Sequence, residues 1–178
     1  MRLGLGAAYG ETRVQTDRVS LPDSRVSGPG YAIDVWAGWA VSSGLVLGPL
    51  FSVWSTYDGD PKVSGGADSG QAHGAVLGAF VDAHPSSSGG QHFGGALTLG
   101  SVKSSLASRP DVEAYDGGGL GFLVFGGYDF WLAKHYGFGG LFKLGALATR
   151  ASSNIAGQNV ERRATAYAAS LSLTAFYY

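Results

Sequence analysis

The sequence predicts an all-β protein: an eight-stranded antiparallel up-and-down barrel that crosses a membrane with its strands. Apolar residues alternate with small or polar ones along most of the chain, and glycine is abundant. The 178 residues include 30 glycines, and only 14% of them are charged, against about a quarter in ordinary globular domains. We therefore expect residues 1–178 to form a single domain with lipid around it.

The segment from Tyr31 to Val41 shows the alternation best. Its odd-numbered positions are all apolar, whereas the even-numbered positions between them include Asp34 and Gly38. A period of two places successive side chains on opposite faces of a strand. The continuous apolar face is expected outside and the face with glycine and charge inside, as a barrel in lipid requires.

Eight segments carry this alternation, and each is long enough for the nine to eleven tilted residues, roughly, that a spanning strand needs. They are residues 2–11, 30–41, 45–57, 72–83, 92–102, 118–132, 136–149 and 165–178. The connections alternate between short turns, near 42–44, 84–91 and 133–135, and long polar loops, near 12–29, 58–71, 103–117 and 150–164. Long extracellular loops and short periplasmic turns are typical of outer-membrane barrels. An even strand count puts both chain ends at the short-turn, periplasmic end.

The charged residues test this choice of faces. Most of them fall in the long loops, and those within strands all take the inward phase: Arg2, Asp34, Asp82, Asp129 and Lys143. A lipid-facing lysine or arginine costs about 2–4 kcal/mol at the bilayer midplane. Since buried charges need partners, we expect Lys143 to pair with Asp34 or Asp129, and Arg2 with Asp82 or the chain terminus. This lumen charge network is expected to fix one strand register, although a gate for ions is the alternative.

Outward aromatic residues are predicted to form two belts at the membrane interfaces. The belt at the short-turn end comprises Trp39, Phe93, Tyr128, Phe130, Tyr136, Phe138 and Tyr177, and the other comprises Tyr9, Tyr31, Tyr57 and Tyr167. The inward set combines small residues with the large side chains of Trp36, Leu50, Trp54, Phe80, Leu123, Phe125, Trp131, Leu141 and Phe176. An eight-stranded barrel is just wide enough to be filled by such side chains, which predicts a packed interior.

In these features the whole chain resembles the small eight-stranded outer-membrane β-barrels of the OmpA and OmpX kind. The segment from Leu171 to Tyr178 is similar to their C-terminal assembly signal, although Tyr178 takes the inward phase and Tyr177 the outward one. The resemblance implies a monomer in the outer membrane of a Gram-negative cell, inserted by the barrel assembly machinery. No secretory leader precedes the first strand, so we expect a mature or trimmed chain.

Catalytic and metal sites are not predicted, and no cofactor is expected. His73 lies near Ser69 and Asp68, but neighbours in sequence do not make a catalytic triad, and the motif of barrel deacylases is absent. His84, His92 and His135 all fall at the short-turn end. They come from separate turns with no acidic ligand spaced beside them, which argues against a metal site. The chain has no cysteine, and its net charge of −1 argues against nucleic acid as a partner.

The expected role is structural and surface-presenting, with adhesion or contact to lipopolysaccharide through the long loops. Lys103, Arg150 and Arg163 lie near strand ends, at the depth where lipopolysaccharide presents phosphates and carboxylates. Two alternatives stay open on the sequence. One is a narrow channel for ions or small solutes; the other is a soluble, lipocalin-like barrel with a ligand inside.

Overall fold

The computed structural model describes residues 1–16, 24–59, 62–63, 66–67, 70–85, 89–106, 115–155 and 158–177. These residues form antiparallel strands and the turns between them. No helix in these ranges is long and apolar enough to cross a membrane.

Eleven strands occur in the described ranges. Nine of them form the wall of a barrel, which has eight barrel strands. β2 and β3 are two parts of one barrel strand, and β5 with β6 forms a small hairpin between β4 and β7. The strands are β1 Arg2–Thr16, β2 Ser24–Trp36, β3 Trp39–Ser42, β4 Leu45–Gly59, β5 Lys62–Val63, β6 Gly66–Ala67, β7 Gly70–Ala83, β8 Gln91–Leu106, β9 Tyr115–Trp131, β10 Tyr136–Ile155 and β11 Gln158–Tyr177.

The sheet closes on itself. Each barrel strand pairs with its neighbour in sequence, and β1 pairs with β11 along its full length, from Arg2 opposite Phe176 to Thr16 opposite Arg162. At the seam the Met1 amino group donates to the Tyr177 carbonyl at 2.6 Å, and the Tyr177 N–H donates to the Met1 carbonyl at 2.8 Å. The predicted eight-stranded antiparallel barrel is therefore confirmed.

A proline explains why one predicted strand appears as two. Ala37 and Pro49 lie opposite each other on β2/β3 and β4, and the Ala37 N–H donates to the Pro49 carbonyl at 3.0 Å. Proline has no N–H to return the second hydrogen bond of this pair. The ladder is interrupted there, yet Trp36 opposite Leu50 and Trp39 opposite Leu47 keep one register across the gap.

Burial follows the predicted alternation. On β11, Leu171 and Leu173 are 65% and 79% exposed, whereas Ser172 and Thr174 beside them are 1% and 4% exposed. Large apolar side chains thus cover the outside of the barrel, and many of the inward positions are small or polar. This is the reverse of a soluble barrel.

The outward aromatic residues take the positions expected of two belts. All seven residues predicted at the short-turn end are exposed, as are Tyr9, Tyr31 and Tyr167 at the loop end. The side chain of Tyr57 lies outside the described part of the structure. Here "short-turn end" means the end with both termini and the turns after β3, β7 and β9; "loop end" means the opposite one.

The connections at the loop end are shorter than the sequence predicts. β10 and β11 remain paired as far as Ile155 opposite Gln158, so two residues separate them instead of a long loop. β1, β2, β8 and β9 also continue past their predicted ends. The predicted strand ends rest on apolar alternation, which marks contact with lipid. Backbone pairing needs no apolar face, and the ladders continue with polar residues on both faces.

Aromatic rings fill the barrel near the short-turn end. The Trp36 ring lies 4.9 Å from the Phe80 ring and 4.7 Å from the Phe125 ring, centroid to centroid. Nearer the middle, Trp54 and Lys143 border a lumen cavity of only about 30 Å³. Trp131 departs from its predicted inward position: at the end of β9 it is 54% exposed, and its ring lies 5.0 Å from the Phe176 ring, centroid to centroid, at an angle of 79°.

The large inward ring of Trp54 requires a glycine on the neighbouring strand, where Gly74 is its directly opposite residue. A Cβ on Gly74 would overlap the Trp54 indole, whereas a Cβ on Gly140 would meet no atom within 4 Å. Overpacking a filled core costs roughly 1–3 kcal/mol. We expect Gly74→Ala to lower the free energy of unfolding by that amount and Gly140→Ala to leave it unchanged. Urea unfolding in micelles measures both; equal stabilities would contradict a tightly filled lumen.

Candidate functional site

Two groups of residues are candidates for function: the charged side chains in the lumen, and an outward basic surface at the loop end. At mid-barrel, Lys143 on β10 forms an ion pair with Asp34 on β2, and both side chains are at most 5% exposed. Asp34 also accepts hydrogen bonds from Ser52 at 2.6 Å and Ser172 at 3.4 Å. The buried carboxylate on β2 is thus satisfied by one cation and two hydroxyls contributed by three other strands, β10, β4 and β11.

The other lumen charges gather at the short-turn end. Arg2 donates to Asp129 at 2.5 Å, and this differs from the expected pairing of Arg2 with Asp82 or the terminus. Asp82 lies instead beside His92, with 3.1 Å between Oδ1 and Nδ1, and beside His84, with 3.5 Å between Oδ2 and Nε2. The five charges therefore form two separate clusters along the barrel.

His92 connects the members of the lower cluster. Its side chain is fully buried, and its Nε2 lies 3.0 Å from the Arg2 guanidinium. His92 is not part of the predicted lumen network, although β8 alternates and its even-numbered positions point inward. That phase is the signal that could have placed His92 inside.

Arg162 is a second inward residue that was not predicted, and it is a cation. It is 6% exposed, and its guanidinium carbon lies 5.7 Å from the centre of the Tyr115 ring. Both residues are predicted from the sequence to lie in loops. They enter the lumen because β9 and β11 extend beyond their predicted ends.

His73 does not form the arrangement considered from the sequence. Its Nδ1 lies 2.7 Å from the Ser55 hydroxyl, while Ser69 and Asp68 lie outside the described residues. Ser55 is only 2% exposed. A nucleophilic serine must be reachable by its substrate, so this pair has the distance of a Ser–His dyad without the access.

The outward basic surface begins with two arginines that face each other. Arg150 on β10 is directly opposite Arg163 on β11, and both side chains are exposed on the outer face. Like charges directly opposite each other destabilise a sheet. Arg163 lies 3.6 Å from Glu161, which offsets part of this repulsion.

Two further arginines continue this surface onto β1 and β2. Arg13 and Arg25 are directly opposite each other, and both form ion pairs with Glu11, which is two residues before Arg13 on β1. Arg13 is also opposite Thr165 on β11, two residues from Arg163. We call Arg13, Arg25, Arg150 and Arg163 the arginine rim.

An apolar groove of about 460 Å³ lies below the arginine rim, on β1, β9, β10 and β11. Its floor contains Ala146 and Ala169, whose small side chains leave a depression in the outer surface. The larger side chains around it are Tyr9, Phe122, Val124, Leu144 and Tyr167, and Glu11 lies at its upper edge. Lys103 is not in this group: it forms a 2.8 Å ion pair with Asp116 between β8 and β9.

The mid-barrel pair predicts a strong and specific effect on stability. Removing one member of a buried ion pair costs about 3–5 kcal/mol, because the other charge stays buried without its partner. We expect Lys143→Met to lower the free energy of unfolding by that amount, and Lys143→Met/Asp34→Asn to recover most of it. Urea titrations followed by tryptophan fluorescence in micelles give the comparison. If Lys143→Met were as stable as the parent, the hydrogen bonds from Ser52 and Ser172 alone would be enough to stabilise the buried Asp34 carboxylate, and the prediction would be wrong.

No protein-family model and no curated protein sequence matches this chain. Among solved structures it is similar to the outer membrane protein OprG from Pseudomonas aeruginosa, with a TM-score of 0.52 and 10% identity, over 99% of this chain and 95% of that one. It is also similar to outer membrane protein AlkL, solved in DMPC lipid bilayers, with a TM-score of 0.50 and 13% identity, over 99% and 90% of the two chains. These neighbours are small eight-stranded outer-membrane barrels, so the resemblance in fold drawn from the sequence is confirmed.

Proposed function

We propose that this protein is an outer-membrane barrel with a closed lumen, which presents its loop end outside the cell and binds anionic lipid there. The exposed apolar exterior is the observation that carries the membrane assignment. Long stretches of the outer wall consist of leucine, valine, isoleucine and aromatic side chains, and the charges of mid-barrel point inward. Water would not stabilise such a surface, whereas hydrocarbon would.

The two alternatives drawn from the sequence fit less well. A lipocalin-like barrel binds its ligand against an apolar interior, but here Asp34, Asp82, Asp129 and Lys143 are buried inside and the apolar side chains are outside. A channel needs a continuous path, but the lumen beside Lys143 contains a cavity of only about 30 Å³. That volume suits about two water molecules at most.

Refolding tests the membrane assignment. We expect the urea-denatured chain to gain strand content on dilution into detergent micelles, and to aggregate on dilution into buffer alone. Circular dichroism reports the strands, and gel mobility before and after boiling reports a compact barrel. A monomeric β-fold in plain buffer would refute the proposal and make an internal ligand the leading alternative.

The arginine rim supports an anionic ligand. Arg150 and Arg163 repel each other across the β10–β11 ladder, and a phosphate between them would replace this repulsion with two charge-assisted hydrogen bonds. Arginine is suited to this role, because its planar guanidinium group matches a phosphate in two-point contacts. The rim also lies above Tyr9 and Tyr167, the exposed aromatic residues expected at headgroup depth.

The groove below the rim supports an acyl chain on the same ligand. Its lining is almost entirely apolar, and Ala146 and Ala169 give it depth where larger residues would leave a smooth wall. A phosphate at the rim and a chain in the groove together describe a phosphorylated, acylated lipid. In the outer leaflet of a Gram-negative outer membrane, lipopolysaccharide has this chemistry.

Lipid binding can be measured by native mass spectrometry of the micelle-folded protein, titrated with diphosphorylated lipid A or with phosphatidylcholine. A charge-assisted hydrogen bond contributes roughly 1.5–3 kcal/mol, so we expect Arg150→Gln/Arg163→Gln to weaken lipid A binding at least about tenfold. Lys103→Gln is the matched control and should bind as the parent does, because Asp116 already neutralises Lys103.

A second pair of variants separates the groove from the rim. Ala146→Phe fills the groove and should also weaken lipid A binding, whereas Ala79→Phe, on the outward face of β7, should not. Equal affinity of the parent for lipid A and for phosphatidylcholine would contradict the proposed site. So would a loss of affinity in Lys103→Gln as large as that in the double arginine variant.

A further inference from the structure

We infer that Asp82, His84 and His92 form a binding site for a divalent transition-metal ion at the short-turn end of the barrel. Each residue offers one ligand atom, and these atoms all lie within 4.8 Å of one another. The inference does not depend on the proposed lipid site, which uses other residues at the opposite end.

Sheet pairing brings the three residues together. Asp82 and His84 are two positions apart at the end of β7, so they lie on the same face of the chain. Ala83 is opposite Phe93 in the β7–β8 ladder, which sets His84 across from His92. The two imidazole rings stack with their centroids 5.2 Å apart and an angle of 15° between the ring planes. The backbone N–H of His84 donates to the Gly44 carbonyl at 2.7 Å, which fixes the position of the turn.

Two buried atoms of this cluster have no hydrogen-bond partner. One is His84 Nε2, which lies 3.5 Å from Asp82 Oδ2, and the other is Asp129 Oδ1. Buried polar atoms normally have partners, and each exception calls for an explanation. A metal ion bound between Asp82, His84 and His92 would account for the first atom directly.

The tautomer of His92 accounts for the second atom. Arginine only donates, so His92 Nε2 accepts from Arg2, and its Nδ1–H donates to Asp82 Oδ1. If Nδ1 binds a metal instead, the proton of the neutral imidazole moves to Nε2. Arg2 can then no longer donate to this nitrogen and keeps only its contact with Asp129 Oδ2. The new N–H donates instead to Asp129 Oδ1, which lies 3.5 Å from Nε2 and has no hydrogen-bond partner. A histidine ligand whose second nitrogen donates to a carboxylate is the usual arrangement at metal sites.

Charge and access also suit a cation. Arg2 is the one permanent cation of the lower cluster described above, against the two carboxylates of Asp82 and Asp129. A small cavity of about 20 Å³ is lined by Asp82, Arg2 and Met1, and it has room for one water molecule beside the carboxylate. The His84 side chain is 19% exposed, so an ion can reach the site from the short-turn end without passing through the filled lumen.

The donor set favours a metal of the zinc class. Two imidazole nitrogens and one carboxylate oxygen, with a fourth position open to water, match tetrahedral Zn²⁺. Ca²⁺ and Mg²⁺ prefer six or more oxygen ligands. A metal site is not expected from the sequence, because the histidines come from separate turns with no acidic ligand spaced beside them; in the structure, Asp82, two residues from His84, is that ligand. His135, which lies at the same end in sequence, is not part of the site: its ring lies 6.0 Å from the Tyr177 ring, centroid to centroid.

The test uses the tag-free protein folded in micelles and equilibrated with ZnCl₂. We expect one Zn²⁺ per chain by elemental analysis after desalting, and an absorption spectrum of tetrahedral coordination when Co²⁺ replaces Zn²⁺. His84→Ala should lose both signals, whereas His135→Ala, a change at an exposed histidine in another short turn, should keep them. Heat-dependent gel mobility confirms that each variant is folded. His84 is the ligand to change first, since it lies in a turn outside the barrel wall.

Asp129→Asn tests the arrangement of the site. Loss of a carboxylate that orients a histidine ligand weakens metal affinity by about 10–100-fold, with the metal still bound at high concentration. We expect that result for Asp129→Asn in a competition titration with a zinc-sensitive dye. No saturable Zn²⁺ binding by the parent, or equal binding by His84→Ala and His135→Ala, would refute the site. Binding of Ca²⁺ or Mg²⁺ in place of Zn²⁺ would refute its assigned class.

Discussion

The backbone ladder that joins β1 to β11 is the interaction on which the other features depend. In hydrocarbon, a strand edge with unpaired N–H and C=O groups costs several kcal/mol per group, so a sheet crosses a membrane only when it closes. Closure is complete here from Arg2 opposite Phe176 to Thr16 opposite Arg162. It closes the wall across the lipid-facing part of the described strands, and it separates one outer surface from one narrow lumen.

A closed, narrow lumen determines how the inward charges are arranged. Each ion inside is cut off from water and must find its partner across the barrel. Lys143 and Asp34, 109 residues apart in sequence, meet at mid-barrel, and Arg2 and Asp129, 127 residues apart, meet near the short turns. With the interior occupied by these pairs and by aromatic rings, binding chemistry is left to the two ends and to the outer wall. The proposed lipid site and the proposed metal site lie in those places.

The two proposed sites differ in how their residues come together. The arginine rim and the groove depend on register, because strands β9, β10, β11, β1 and β2 must align their arginines above their small residues. The metal site depends on a turn, because the β7–β8 hairpin folds His84 back against His92. Neither site can be found by searching the sequence for local motifs, because its residues are far apart in the chain. The one local signal is the spacing of two residues between Asp82 and His84.

Periodicity alone determined the fold class, the face of each strand and the inward position of the five strand charges, because a period of two and the energy of charge in lipid are local properties of the chain. The strand ends, the partner of Arg2 and the entry of His92 and Arg162 into the lumen were decided only by the tertiary structure. Alternation assigns a face but not a register, and a different register gives each inward side chain different neighbours across the barrel. The sites depend on those neighbours.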